Sequence, residues 1–135
     1  MNNPFPHALF IPQAADWINA NDRGHWAKRA QLTRAWRHAA GFTARRHKIP
    51  RFESAHIIAT IHKATGRGYD ASNLQPTLKA IVDGLVDAGV LDDDDNSRLI
   101  GPDARMGEKI PVNPGVMLTI TPMGQGDGTE SPAAA

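Results

Sequence analysis

The clearest alternation of apolar and polar positions runs from Ser54 to Ala64. Every second residue is apolar, and these residues would share one face of a strand: Ala55, Ile57, Ala59 and Ile61. The β-branched residues in the segment also favour a strand. Shorter apolar runs at Ala8–Ile11, Ser97–Ile100 and Val116–Ile120 predict three more strands.

Two other segments follow the helical period of about 3.6 residues. The first runs from about His25 to Arg45, with apolar residues Trp26, Ala30, Leu32, Trp36, Ala39 and Ala40. In the second, Pro76 suits the first turn of a helix and Gly89 suits its end. Between them lies an apolar stripe of Leu78, Ile81, Val82, Leu85 and Val86. The pattern therefore predicts two main helices.

The order of elements predicts an α/β (α+β) fold, in which a small mixed β-sheet packs with two main helices. The 135 residues suit a single domain, which we place at residues 1–123. Residues 124–135, GQGDGTESPAAA, have the composition of a disordered tail.

Charge is divided unevenly along the chain. Residues 1–69 hold eleven Lys and Arg against three acidic residues, a net of +8, and residues 70–135 hold four against eleven, a net of −7. Such a division suggests a half that binds a polyanion joined to an acidic site that needs a cation. Two solvated faces that pair with each other would give the same division.

Composition excludes several classes of protein. The chain has no cysteine, so disulfides and thiolate metal sites are ruled out. No apolar run approaches the roughly 20 residues of a membrane helix, and the N-terminus lacks the pattern of a signal peptide. We therefore expect a cytoplasmic protein, bacterial or phage-encoded, with no membrane partner and no small-molecule cofactor.

The candidate chemistry lies in Asp70, which follows a predicted strand, and in the run Asp92–Asp95 after the second helix. Four adjacent carboxylates repel one another, and a divalent cation with hard oxygen ligands removes that cost. Such an ion can polarise a phosphodiester, activate water and stabilise the leaving oxygen. Lys79 could add positive charge to the transition state. A solvated acidic loop, with Asp70 as a helix cap, remains the simpler alternative.

Other motifs are missing. The aspartate run lacks the spacing and closing Glu of a calcium-binding EF-hand, and no Lys-Ser/Thr pair follows Gly66–Gly68 to make a phosphate loop. The six histidines show no zinc-protease spacing.

The stretch GRGYDASNLQPTLKAIVDGLVDAGVLDDDDNSRLIGP resembles the signature region of RusA-type Holliday junction resolvases. That family has an Arg-rich turn, D-x-D-N-L, a helix with a lysine ending in D-x-L-x-x-A-G, and then a pair of aspartates. The loop and basic helix in IPQAADWINANDRGHWAKRAQLTRAWR are also similar to it, so the resemblance spans about Leu9 to Ile120. It implies a homodimer that cuts four-way and other branched DNA with Mg²⁺ or Mn²⁺.

Matched residue by residue, the resemblance implies Asp70, Lys79 and Asp94 as catalytic residues. The implied metal ligands are Asp70, Asp93, Asp94 and Ser72. Ser72 stands where the family has its second aspartate, and a hydroxyl is a neutral, weaker ligand. Three alternatives stay open: Asp93 or Asp95 supplies the missing charge, the protein is a DNA-binding protein that has lost catalysis, or Ser72 caps the following helix.

The basic first half would then contact DNA phosphates, which give affinity without base recognition. The residues expected to do so are Arg23, His25, Lys28, Arg29, Arg34, Arg37, Arg45, Arg46 and Arg67. Trp17, His25 and Trp26 could stack on exposed bases at a branch point. The apolar stripe favours the other interpretation for Trp26 and Trp36, which is burial in the core. A structural protein whose charged halves pair between subunits is a further alternative.

Overall fold

A computed structural model describes residues 5–92 and 98–123. The elements along the chain are β1 (His7–Pro12), α1 (Trp26–Arg46), β2 (Ala55–His62), a 3₁₀ helix (Ala71–Leu74), α2 (Gln75–Asp87), β3 (Leu99–Met106) and β4 (Gly115–Pro122). The strands form one four-stranded sheet in the order β1-β4-β2-β3. β2 pairs in parallel with β3, whereas β4 is antiparallel to both β1 and β2. The mixed sheet packed with two helices confirms the predicted fold class.

Only one face of the sheet belongs to the core. The alternate residues of β2 that were predicted to share a face are fully buried, and their neighbours are only partly so. Cross-strand pairs such as Leu9 with Leu118 and Ile57 with Ile120 lie in the same hydrophobic cluster as the apolar residues of both helices. Both helices therefore cover the same face of the sheet.

β3 is longer than the predicted Ser97–Ile100, of which Ser97 lies outside the described residues. The strand continues through Gly101 and Pro102, which are poor strand formers. Its place at the sheet edge, with a register shift opposite His56 to Ile58, allows a residue that lacks an N–H. The prediction stopped early because edge strands tolerate residues that local propensity rejects.

Both helices lie where the pattern predicts them. His25 is the N-cap of α1, and its Nδ1 accepts a hydrogen bond of 3.0 Å from the Ala27 N–H. In α2, Pro76 occupies the first turn, and Gly89 follows the helix with a φ of 81°, a conformation that favours glycine.

Burial of Trp26 was wrongly predicted. This side chain is 76% exposed, whereas Trp36 is fully buried. The buried residues of α1 begin only at Trp36, so the first turns of the helix extend past the core. A helical period shows which face is apolar but not how far along the helix the core extends.

The two helices meet at a pair of glycines, Gly41 and Gly84. A Cβ at Gly84 would lie 2.3 Å from the Arg37 carbonyl oxygen and 2.9 Å from the Gly41 amide nitrogen. A Cβ at Gly41 would lie 3.1 Å from the Gly84 carbonyl oxygen. The backbones are in direct contact here, so a side chain at Gly84 does not fit between them and one at Gly41 would be tight.

Residues 124–135, predicted to be a disordered tail, lie outside the described residues. Within the described residues, neither helix has the combination of length and apolar character that a membrane-spanning helix requires.

We expect Gly84→Ala to destabilise the protein by about 3 kcal/mol, because the added methyl meets helix backbone rather than a flexible side chain. Urea denaturation measures this loss. Gly68→Ala is the matched control, since a Cβ there meets nothing within 4 Å and its φ is not positive, so a change within about 0.5 kcal/mol is expected. Equal stability of the two variants would contradict the close approach of the α1 and α2 backbones at Gly84.

Candidate functional site

Asp70 lies at the start of the 3₁₀ helix that follows β2. Its Oδ1 accepts two hydrogen bonds from Ser72, one from the backbone N–H at 3.0 Å and one from the hydroxyl at 2.7 Å. These two bonds lower the pKa of Asp70 below its usual value, so the exposed carboxylate is ionised at neutral pH. Asp70 is thus a helix cap, as the simpler alternative proposed, and still has Oδ2 for a cation.

Ser72 binds to Asp70 rather than capping α2. The N-cap of α2 is Leu74, which makes no side-chain capping bond, so capping of the following helix by Ser72 is wrong. The 2.7 Å between Ser72 Oγ and Asp70 Oδ1 is the length of a hydrogen bond that the hydroxyl donates. Asp70 Oδ2 is therefore the oxygen left for a hard cation such as Mg²⁺, with the neutral Ser72 hydroxyl beside it.

Lys79 lies on the exposed side of α2. Its Nζ is 2.8 Å from Asp83 Oδ1, one helical turn further along, and its side chain is 61% exposed. A surface pair at this spacing adds little to stability and leaves the ammonium able to exchange partners.

The aspartate run has a counterion that the sequence did not reveal. Asp92 binds the Arg51 guanidinium through two hydrogen bonds of 3.0 and 2.5 Å, and Arg98 lies 3.5 Å from the same carboxylate. Arg51 lowers the pKa of Asp92. Arginine therefore neutralises part of the charge that we assigned to a metal. The predicted ligands Asp93 and Asp94 lie outside the described residues, and the described part of the chain contains no cluster of three metal-ligating side chains.

Four of the predicted DNA-binding residues surround one cavity of 280 Å³, which we call the basic cavity. It lies between the loop after β1 and the first turns of α1. Its charged and titratable lining residues are Asp16, Asp22, Arg23, His25, Lys28 and Arg29. Three cations against two carboxylates leave a net charge of +1 before any protonation of His25.

The loop of the basic cavity is bonded directly to the Asp70 turn and to α2. Thr77 Oγ1, fully buried in α2, accepts a 2.8 Å bond from the Ile18 N–H and donates a 3.0 Å bond to the Ile18 carbonyl. Two residues later, the Ala20 N–H donates to the Asn73 carbonyl at 2.7 Å. The basic loop is therefore held directly against α2 and the turn that carries Asp70.

A second cavity, of 230 Å³, adjoins the Asp70 turn through Tyr69. Its lining includes Arg67, which was predicted to bind DNA, and also Lys63, Lys109 and Glu108. Lys63 Nζ lies 4.2 Å from the centre of the Tyr69 ring, a cation–π contact that orients the ammonium. Sequence reasoning missed the two lysines because they come together only through the parallel pairing of β2 with β3.

The other predicted DNA-binding residues lie along α1. Arg37 forms a two-bond ion pair with Asp87 at 2.7 and 2.8 Å, which raises the pKa of Arg37, and Arg45 donates to the Asp87 carbonyl at 3.1 Å. Arg34 and Arg46 are exposed. The basic and acidic halves thus pair within the chain at Arg37–Asp87 and Arg51–Asp92. These two ion pairs agree with the alternative interpretation of the charge division, in which the charged faces pair with each other.

Compared with known proteins, the chain matches no protein-family model and no curated protein sequence. Its function therefore has to be inferred from the chemistry of these residues.

We expect Thr77→Val to destabilise the protein by about 2–4 kcal/mol, because it leaves the buried N–H and carbonyl of Ile18 without partners. Amide hydrogen exchange at Ile18 should accelerate at the same time. Thr77→Ser keeps the hydroxyl and should cost only about 1 kcal/mol for the lost methyl. Equal stability of Thr77→Val and Thr77→Ser would show that the Thr77 hydroxyl does not hold the loop at Ile18.

Proposed function

We propose that this protein is a metal-dependent endodeoxyribonuclease that cuts four-way and other branched DNA junctions. The supporting observation is the attachment of the basic loop, through Ile18 and Ala20, to α2 and the turn that carries Asp70. The Asp70 carboxylate and the cations that would bind phosphates are thereby carried on segments that are bonded to each other. The resemblance to RusA-type resolvases supports the same activity.

The electrostatics of this surface suit a phosphodiester substrate. Both cavities beside the turn are lined by cations, and DNA gains much of its affinity for proteins from such contacts. Asp70 by itself would repel the phosphate, whereas a divalent cation on its carboxylate reverses that repulsion. The arrangement therefore favours a substrate that is bound by cations and cut at a metal.

Asp70 and Ser72 would hold Mg²⁺ or Mn²⁺, with Asp93 and Asp94 as the further predicted ligands. The bound cation would supply Lewis acidity and a water of lowered pKa. Lys79 would stabilise the negative charge that develops on the phosphate, after leaving Asp83. Arg23, Lys28 and Arg67 would hold neighbouring phosphates and so fix the strand in register.

A homodimer completes the proposal. A four-way junction presents two equivalent strands, and two-fold symmetry places one site on each of them. Paired cuts on opposite strands would then leave two linear duplexes.

We expect the wild-type protein to cleave a synthetic four-way junction in the presence of Mg²⁺ or Mn²⁺. Asp70→Asn should reduce the cleavage rate by at least about 100-fold while leaving junction binding in EDTA no weaker. Gel analysis of end-labelled junctions measures both. Asp87→Asn, the same chemical change at the opposite end of α2, should retain cleavage. The absence of cleavage with either metal, or full cleavage by Asp70→Asn, would contradict the proposal.

A second candidate function is junction binding without cleavage, and the position of Ser72 favours it. Ser72 donates to Asp70 and adds no charge where the resolvase pattern has a carboxylate. We expect Ser72→Asp to increase metal affinity and junction cleavage, because the two neighbouring carboxylates repel each other until a cation binds.

Ser72→Asn is the control, because asparagine has the size of aspartate but no charge. It should not increase cleavage. Cleavage that begins only with Ser72→Asp would identify the natural protein as a binding protein. Wild-type cleavage equal to that of Ser72→Asp would exclude this candidate.

A further inference from the structure

We propose that Trp26, His25 and the basic cavity form a subsite for one unstacked nucleotide of DNA. The base would lie on the Trp26 ring and its phosphate against Arg23, His25 and Lys28. This inference rests on the proposed function, since it identifies the part of a branched substrate that the basic loop recognises.

Trp26 is the tryptophan that lies outside the hydrophobic core. Trp36 is fully buried and Trp17 packs against it, with ring centroids 5.1 Å apart. Trp26, in the first turn of α1, is 76% exposed. One of its faces stacks on His25 at 5.6 Å with an interplanar angle of 26°, which orients the indole. A large aromatic ring held in this way is a stacking platform for a base.

His25 joins the platform to the basic cavity. It stacks on Trp26 and also lines the cavity. Because Nδ1 accepts the N–H of Ala27, the neutral ring carries its proton on Nε2. That Nε2–H makes no bond to any described residue and is therefore available as a donor to a phosphate oxygen.

The remaining charges of the cavity suit a single phosphate. Within the described residues, the side chains of Arg23 and Lys28 take part in no hydrogen bond or ion pair. Arg29 donates a long bond of 3.4 Å to the Asn19 carbonyl, and Asp22 accepts one of 3.4 Å from the Asn19 N–H. With Asp16 also present, the net charge of +1 balances one phosphate rather than several.

The shape of the site favours an unpaired nucleotide over duplex DNA. A base inside a duplex already has a neighbour on each face, so an isolated indole can stack only on a base that has left the helix. The cavity volume of 280 Å³ lies just below the range of about 300–1,000 Å³ typical of small-molecule sites. It therefore suits one sugar-phosphate unit, such as occurs at a branch point or a single-stranded flap.

The test measures binding of a 12-residue oligothymidylate to the full chain in EDTA, by quenching of tryptophan fluorescence and by anisotropy of a labelled oligonucleotide. We expect Trp26→Ala to weaken binding about tenfold and Trp26→Phe to weaken it less, since loss of one base–aromatic stack reduces affinity by about 5- to 150-fold. Both Trp26 variants should bind a 12-base-pair duplex with the affinity of the wild type. Arg23→Ala should reduce the slope of log affinity against log salt by about 0.7.

The chain supplies a matched control on the same helix. Phe42 is 55% exposed and stacks on His38 with centroids 6.4 Å apart, so Phe42→Ala removes a similar exposed ring outside the basic cavity. Phe42→Ala should bind oligothymidylate as the wild type does. Equal affinity of Trp26→Ala and wild type, or an equal loss in Phe42→Ala, would overturn the subsite.

Failure of the subsite can be distinguished from failure of the proposed function. If the wild type cleaves junctions but Trp26→Ala binds oligothymidylate as tightly as the wild type, the subsite alone is overturned. If Trp26→Ala binds oligothymidylate more weakly but the wild type cleaves no junction, the subsite is supported and the proposed nuclease activity is overturned. Tighter binding to oligouridylate than to oligothymidylate would assign the site to RNA and overturn the proposal for DNA.

Discussion

The buried hydroxyl of Thr77 is the contact on which the arrangement of the candidate site depends. It satisfies both backbone groups of Ile18, a residue 59 positions away, at a point where water cannot replace it. A few residues earlier, the indole N–H of the buried Trp36 donates to the Asp16 carbonyl at 3.0 Å. Two side chains that belong to the helices thus position a loop whose own residues from Ala20 to Lys28 are exposed.

This anchoring changes the meaning of the charge division along the chain. The excess of cations before residue 70 and of acids after it does not produce two separate regions. Some charges cancel within the fold, as Arg51 and Arg98 do with Asp92. Within the described residues, Arg23 and Lys28 have no such partners and share a cavity with Asp16 and Asp22. Their loop is bonded through Ala20 to Asn73, in the turn that Asp70 begins. Part of the charge that remains unpaired therefore lies on a loop that is bonded directly to the turn of Asp70.

Local patterns were sufficient to predict the sheet-forming segments and both helices, because alternation in β2 and the positions of Pro76 and Gly89 are properties of neighbouring residues. They could not show the end of β3, which depends on its place at the sheet edge. They also could not show the ion pair of Arg51 with Asp92 or the cavity that Lys63 and Lys109 both line, because only the tertiary fold brings these residues together. Ser72 was singled out from a motif, but its bond to Asp70 required the geometry of the turn.

The contact between Gly41 and Gly84 has a consequence for how related sequences can diverge. Surface arginines can be exchanged for lysines or lost with little effect on the fold, since their partners are solvent or other exposed charges. Gly84 lacks that freedom, because any side chain there would meet the backbone of α1 and push the two helices apart. Descendants of this chain could thus lose exposed charged residues and keep the fold, whereas a change at Gly84 would alter the helix packing that positions the candidate site.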